Sequence, residues 1–195
     1  MDAPILCKPL LSFMPHASPS PDICFVHRLD SEISETEDHD LRLLLLTAFP
    51  YETVLLTRRY IREVPAHRWL VLAPSGELIA HTAAHDKLIS VGGQPLRIGG
   101  IAEVCVAHHF RGQGLVGKML THAHAWMQRE GIPFSMLFGQ LKVYTSSGYT
   151  IIPNPILANN SLIYHWNPFK GKPMIHPIAS LPWPQGPVDL RGPTF

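Results

Sequence analysis

Ten residues, Phe110 to Met119 (FRGQGLVGKM), have the types and spacing to hold an anion. An apolar run, Ile101-Ala102-Glu103-Val104-Cys105-Val106, precedes them, and an amphipathic stretch ending at Glu130-Gly131 follows. Strand, glycine-bearing turn and helix form a layout in which turn N–H groups and the positive end of a helix dipole converge on one point. Gly112 and Gly114 let the backbone come close to a diphosphate, and Arg111 adds a permanent positive charge. Two other phosphate sites fit less well. A P-loop needs Ser or Thr after Gly-Lys to hold magnesium, whereas Met119 follows Gly117-Lys118. Gly112-x-Gly114-x-x-Gly117 meets the dinucleotide spacing, but the acid wanted roughly twenty positions on is answered only by Glu130 at the helix end.

A second segment, Val143-Tyr144-Thr145-Ser146-Ser147-Gly148-Tyr149, follows after one helix and one strand. Arg-x-x-Gly-x-x, then helix, strand and Tyr-x-x-x-Gly-aromatic, resembles the GNAT superfamily of acyl-CoA-dependent acetyltransferases from about Cys24 to about Asn167. Arg111-Gly112-Gln113-Gly114-Leu115-Val116 resembles that family's pyrophosphate loop, departing from it at Val116, where Gly or Ala is usual. Together with Gly76-Glu77-Leu78-Ile79-Ala80-His81 and Gly99 to Val106, the loop is similar to the aminoglycoside 2′-N-acetyltransferase branch and to the "enhanced intracellular survival" acetyltransferases.

The resemblance implies an α/β (α+β) fold: a mixed, mostly antiparallel central sheet of about six to seven strands, flanked by about four helices and splayed at the acyl-CoA site. It implies acetyl-CoA as co-substrate and no metal. Main chain at Val104, Cys105 and Val106 would pair with the pantetheine arm, and Arg111, Gly112, Gln113, Gly114, Leu115, Val116 and Gly117 would cradle the diphosphate. Tyr144 would protonate the leaving thiolate, and Glu103 or the carboxylate of Phe195 would assist loss of the amine's proton. Tyr51, Glu52, Glu103 and Asp189 would face the acceptor. The expected activity is direct acetyl transfer to a primary amine of a small molecule. An aminoglycoside 2′-N-acetyltransferase and a non-catalytic acyl-CoA-binding module are the alternatives. The loop Ala48-Phe49-Pro50-Tyr51-Glu52-Thr53 carries one acid and two aromatics, which suits a smaller or partly aromatic amine better than a polycation.

Composition fits this reading. A chain of 195 residues suits one domain, and a net charge of +1 gives no broad field for nucleic acid. Cys7, Cys24 and Cys105 are an odd set without paired spacing, which favours a reducing compartment. No apolar run approaches the ~20 residues of a membrane span. The expectation is a soluble cytoplasmic protein with neither nucleic-acid nor membrane partner; homodimerisation, frequent among the relatives, stays open. The histidines resemble a metal cluster at first sight, but no Cys or acid completes a ligand set.

These residues need elements to position them. Residues 1–21 read as a flexible arm, 22–167 as the acetyltransferase domain, and 168–195 as a Pro-rich arm packed on it. Strands are expected at Ile23 to His27, Trp69 to Leu72, Leu78 to His85, Ile101 to Val106 and Pro133 to Phe138, with a Gly92-Gly93 hairpin between. Tyr149 to Pro153 and Leu162 to Trp166 read as the last strands. Helices are expected at Ser34 to Phe49, Thr53 to Arg62, Leu115 to Glu130 and Gln140 to Ser146. In the third, Leu115, Met119, Leu120, Ala123, Trp126 and Met127 recur on one face.

Overall fold

The computed structural model describes residues 23–159, 161–162 and 171–195. The predicted leader, and most of the strand predicted from Leu162, lie outside them. β1 (Cys24–Leu29) leads into α1 (Glu35–Ala48). Ser34 closes a capping box at this helix start: its Oγ accepts from the Glu37 N–H at 3.2 Å, and the Glu37 carboxylate accepts from the Ser34 N–H at 3.0 Å. Leu41, Leu44 and Leu45 bury one face of the helix, and Pro50 follows its end.

The helix predicted over Thr53 to Arg62 does not form. A 3-10 turn, Thr53–Leu56, gives way to bends. Local side chains divert the backbone: Arg58 donates to the carbonyls of Tyr60 and Ile61, and the Ile61 N–H donates to Glu103 instead of to a preceding turn.

β2 (His67–Leu72), β3 (Leu78–Val91) and β4 (Gln94–Val106) form an antiparallel meander. Gly92 and Gly93 close the β3–β4 hairpin at φ 57° and 85°. The hairpin arms are continuous with the flanking strands, giving strands of 14 and 13 residues. α2 (Leu115–Arg129) then crosses the sheet with the six predicted residues buried. β5 (Phe134–Gly139) runs parallel to β4, and α3 (Leu141–Tyr144) follows it.

Short strands complete the sheet: β6 (Thr150–Ile151), β7 (Ile156–Ala158), β8 (Ser161–Leu162), β9 (Lys172–Pro177) and β10 (Val188–Asp189). The order is β6-β9-β5-β4-β3-β10-β7-β8, with β2 on the other stretch of β3 and β1 beside β2. The described residues thus hold ten strands and three α-helices, against about six to seven and about four expected. The additional strands are short or interrupted by proline, so alternation does not reveal them.

Of the segment expected as an arm, the described residues 171–195 are woven into the sheet. β9 fills the place between β5 and β6, and β10 pairs antiparallel to β3 and parallel to β7. Pro173 sits inside β9 and still serves the sheet, because its carbonyl accepts the Ile152 N–H at 3.1 Å. Asn154 clasps the intervening loop: its Nδ2 donates to the Gly186 carbonyl at 2.6 Å, and its Oδ1 accepts from the Trp183 indole at 3.0 Å. Val188 and Leu190 are buried against Ile89, Phe134 and Ile156, which anchors the tail. No helix among the described residues is long and apolar enough to cross a membrane.

Candidate active site

The central strands part. β4 and β5 pair only from Gly99↔Ser135 to Ile101↔Leu137, although β4 runs on to Val106. Beyond Ile101 the β5-facing main chain of β4 has no strand partner among the described residues. At the same level the β3–β4 register slips by one residue, and Glu103 takes φ 53°. A non-glycine residue in that region costs about 1–2 kcal/mol and is held only by its surroundings.

The surroundings are a buried ion network. Glu103 Oε1 accepts from the Ile61 N–H at 2.7 Å, and Oε2 accepts from Arg68 Nη1 at 3.1 Å. Arg68 has 0% exposure and also donates to Asp30 at 2.6 Å and to the Arg59 carbonyl at 2.8 Å. Because a guanidinium only donates, His81 Nε2 accepts from Arg68 at 3.1 Å, so His81 Nδ1 carries the proton and donates to the Glu103 carbonyl at 3.1 Å. Burial, with Arg68 beside it, holds the His81 pKa well below its ordinary value. Burial also works to raise the Asp30 carboxyl, but hydrogen bonds from Arg59 and Arg68 outweigh it and hold the pKa below the usual range. At Glu103 burial prevails over the pull of Arg68 and the Ile61 N–H, and the pKa is raised. Glu103 therefore fixes the bulge with both of its oxygens engaged.

A cavity of about 650 Å³ opens beside the bulge. Ile101 to Val104 form its floor, Leu137, Phe138 and Tyr144 one wall, and Phe49, Glu52 and residues 61–63 another; Phe195 closes it. The Phe195 ring lies 5.5 Å from Phe138 and 5.9 Å from His85, and a Cβ at Gly100 would come within 2.9 Å of it. Lys87 latches the tail there, donating to Glu63 at 2.7 Å and to the Pro193 carbonyl at 3.0 Å.

The Tyr144 hydroxyl makes no hydrogen bond to a described residue, and burial pushes its pKa up to about 12. By contrast, the Tyr149 hydroxyl is bound by Ser135 at 2.6 Å and His124 at 2.9 Å. Gly139 makes room for Tyr144, since a Cβ there would lie 2.3 Å from its ring. Gly139→Ala is expected to push the phenol aside and lower turnover by up to about a hundredfold, the loss that a misplacement of about 1 Å can bring. Steady-state kinetics with a thermal melt will check it, and unchanged turnover would show that the ring's position is immaterial.

The anion turn sits at the open end of β4. Gly112 and Gly114 take φ 79° and 72°, and Gly114 starts α2 without a side-chain cap or an acid in the first turn. The first N–H groups of the helix are thus free for an anion. The Arg111 Nε donates to the Val106 carbonyl at 3.1 Å, tying that cation to the strand end. Gly114, Gly117 and Lys118 also line a cleft of about 350 Å³ whose far side is Ser146 and Ser147. The Val116 side chain packs among Val104, Leu115 and Met119, on the core side of the helix.

The structure thus brings Glu52, Glu103, Val104, Tyr144 and Phe195 to one cavity, with Arg111 to Gly117 at the neighbouring turn. It does not bring Tyr51 or Asp189. Tyr51 is 95% exposed, and the Asp189 carboxylate caps a turn by accepting the Arg191 N–H at 2.9 Å. Cys105 is buried, burial pushes its thiol far up, and its main chain pairs with His81 of β3. Sequence reasoning missed Arg68, Glu63, Lys87 and the cavity place of His85; the period-2 spacing of His81, His85 and Lys87 was the available signal. Among the described residues no group of three metal-ligating side chains occurs.

A sheet that splays at a bulged central strand, with a glycine turn at the adjoining helix start and a free phenol in the cleft, defines an acyl-transfer scaffold. Residues 31–152 match the acetyltransferase (GNAT) domain, and the chain belongs to that family. A comparison with curated proteins gives no match. Among solved structures it is similar to the GNAT N-acetyltransferase YhbS of Escherichia coli in complex with CoA, at 15% identity over 90% of this chain and 93% of that one, with a TM-score of 0.65. A GNAT acetyltransferase of Brucella melitensis in complex with acetyl-CoA gives 16% identity over 87% and 96%, with a TM-score of 0.58. Eis1 of Mycobacterium abscessus gives 16% identity over 68% of this chain, which spans only 32% of that protein, with a TM-score of 0.53.

Proposed function

We propose that this chain is an acetyl-CoA-dependent N-acetyltransferase that passes the acetyl group directly to a primary amine of a small molecule. The observation that carries this reading is the unpartnered Tyr144 phenol in the cavity that opens where β4 leaves β5. Main chain of Val104 and the Val106 N–H, on the side of β4 away from β3, would pair with the pantetheine arm as an added strand does, and an N–H there would polarise the thioester carbonyl. Arg111 and the turn from Gly112 to Gly117 would hold the diphosphate. The amine nitrogen attacks the carbonyl carbon, the C–S bond breaks, and the thiolate takes the phenol proton. The burial that raises the Tyr144 pKa also raises the basicity of a thiolate formed beside it.

Proton removal falls to Glu103 or to the Phe195 carboxylate. Both Glu103 oxygens are engaged, which favours a holding role for that carboxylate. The acceptor is a small amine with an apolar or aromatic body. Phe49, Phe138 and Phe195 line the cavity, while Glu63 and Glu103 are spent on Lys87 and Arg68. Those pairings argue against a polycationic aminoglycoside. The odd cysteine set still favours a reducing, cytoplasmic setting.

Acetyl-CoA-dependent thiol release across an amine panel tests the reading, with CoA binding measured by calorimetry alongside. CoA binding without release from any amine would overturn it in favour of a binding module. Removing Thr194 and Phe195 is expected to lower kcat/KM for the amine at least tenfold with CoA affinity kept; undiminished activity would exclude the tail.

A further inference from the structure

His85 lies on β3 opposite Gly100 and lines the cavity with Glu103, Val104, Tyr144 and Phe195. It is 6% exposed, and neither ring nitrogen has a hydrogen-bond partner among the described residues. Among those residues the fully sealed side-chain atom without a partner is Nδ1 of His176, so the His85 nitrogens open onto the cavity. His81, four residues earlier on the same face, has both nitrogens engaged, and His124 is bound to Tyr149. An imidazole whose nitrogens meet the cavity and bond to no other described side chain is free to bond to what fills it, and its place beside Glu103, Tyr144 and Phe195 points to a bound ligand as that partner.

Building on the acetyltransferase reading above, we propose that His85 accepts a hydrogen bond from the N–H of the acceptor amine and so aims its lone pair at the thioester carbonyl. The groups around it support an acceptor rather than a titrating base. Burial pushes its pKa down to about 4; Glu63, from the segment before β2, pulls the other way, while Lys87 of β3 and Arg68 of β2 add to the depression. The Phe195 ring of the tail packs against it, and the nearest acid of β4, Glu103, is held by Arg68. The imidazole is therefore neutral at ordinary pH and keeps one free lone pair. It suits an amine that has already lost its proton, the form that attacks a thioester. Glu63 is occupied by Lys87 and does not compete for the amine.

The test uses His85→Phe and His85→Asn in the full chain, with acetyl-CoA and amines of differing basicity. His85→Phe is expected to lower kcat/KM about tenfold or more while CoA binding stays within twofold, and His85→Asn, which supplies an acceptor oxygen, is expected to restore most of the loss. In the wild type the acid limb of the kcat/KM profile should move with the pKa of each amine. Equal activity in His85→Phe would overturn the proposal. So would an acid limb fixed at one pH for all amines and absent from His85→Phe, because His85 would then be the base. No thiol release from wild type that binds CoA would sink the acetyltransferase reading itself, a result distinct from either.

Discussion

Phenylalanine in place of Tyr144 lowers kcat and kcat/KM together by about two orders of magnitude, the usual worth of one positioned proton donor. CoA affinity and melting temperature stay close to wild type. That combination is expected because the hydroxyl has no partner to lose, whereas the ring fills the space left by Gly139 and packs on Tyr149. The substitution keeps the ring and deletes only the hydroxyl. An interaction made only in the transition state depresses both kinetic constants equally, whereas one made already to bound substrate appears in KM. The phenol, with its pKa raised to about 12, stays protonated through neutral pH, so its loss should not reshape the neutral limb of the pH profile. Turnover equal to wild type would remove Tyr144 from the mechanism, and the thiolate would then leave unprotonated or take its proton from water.

What could be read from the chain was local. The buried face of α2 follows from helical period, the anion turn from glycines between an apolar run and that helix, and the short helix expected over Gln140 to Ser146 is found as α3 and the 3-10 turn after it. What could not be read depends on contacts distant in sequence. Arg68 looks like a surface arginine until β2 lies beside β3, when it meets Asp30 and Glu103, 38 and 35 residues away. Glu103 looks like an available strand carboxylate until the bulge turns it onto Ile61 and Arg68. The helix expected after Pro50 yields to those same contacts, which local propensity cannot anticipate. β9 and β10 are hidden because prolines break the alternation, while the bonds that hold the tail come from Asn154 and Lys87. His85 was visible as one histidine among twelve, but nothing local distinguishes it from the satisfied His81.

Arg68→Met is expected to cost about 3–5 kcal/mol, the penalty for leaving buried carboxylates without their cation. In a chain of this size that is a fall of roughly 10 °C in melting temperature. Arg68, Asp30 and Glu103 have side-chain exposures of 0%, 9% and 5%, so water cannot take over the lost bonds. Asp30 keeps Arg59, but Glu103 keeps only the Ile61 N–H. Lysine should rescue poorly, because one ammonium cannot reach Asp30, His81, Glu103 and the Arg59 carbonyl as the planar fork does. The pH dependence identifies the orphan. The Glu103 pKa is already raised in the fold, and without Arg68 it rises further, so the folded state binds a proton that the unfolded chain does not. Stability of the variant should therefore recover as pH falls from neutrality toward the ordinary glutamate value of about 4.3. Asp30 has the opposite sign: its pKa is depressed, and its contribution is lost only as pH falls below about 3.9. The wild type should gain less over the upper interval, so the deficit of Arg68→Met narrows between pH 7 and about 4.5. Adding Glu103→Gln to Arg68→Met should recover part of the loss at neutral pH, because no charge then remains buried at that position. Melting of Arg68→Met within about 2 °C of wild type, or a deficit constant with pH, would show that the network does not carry the bulge.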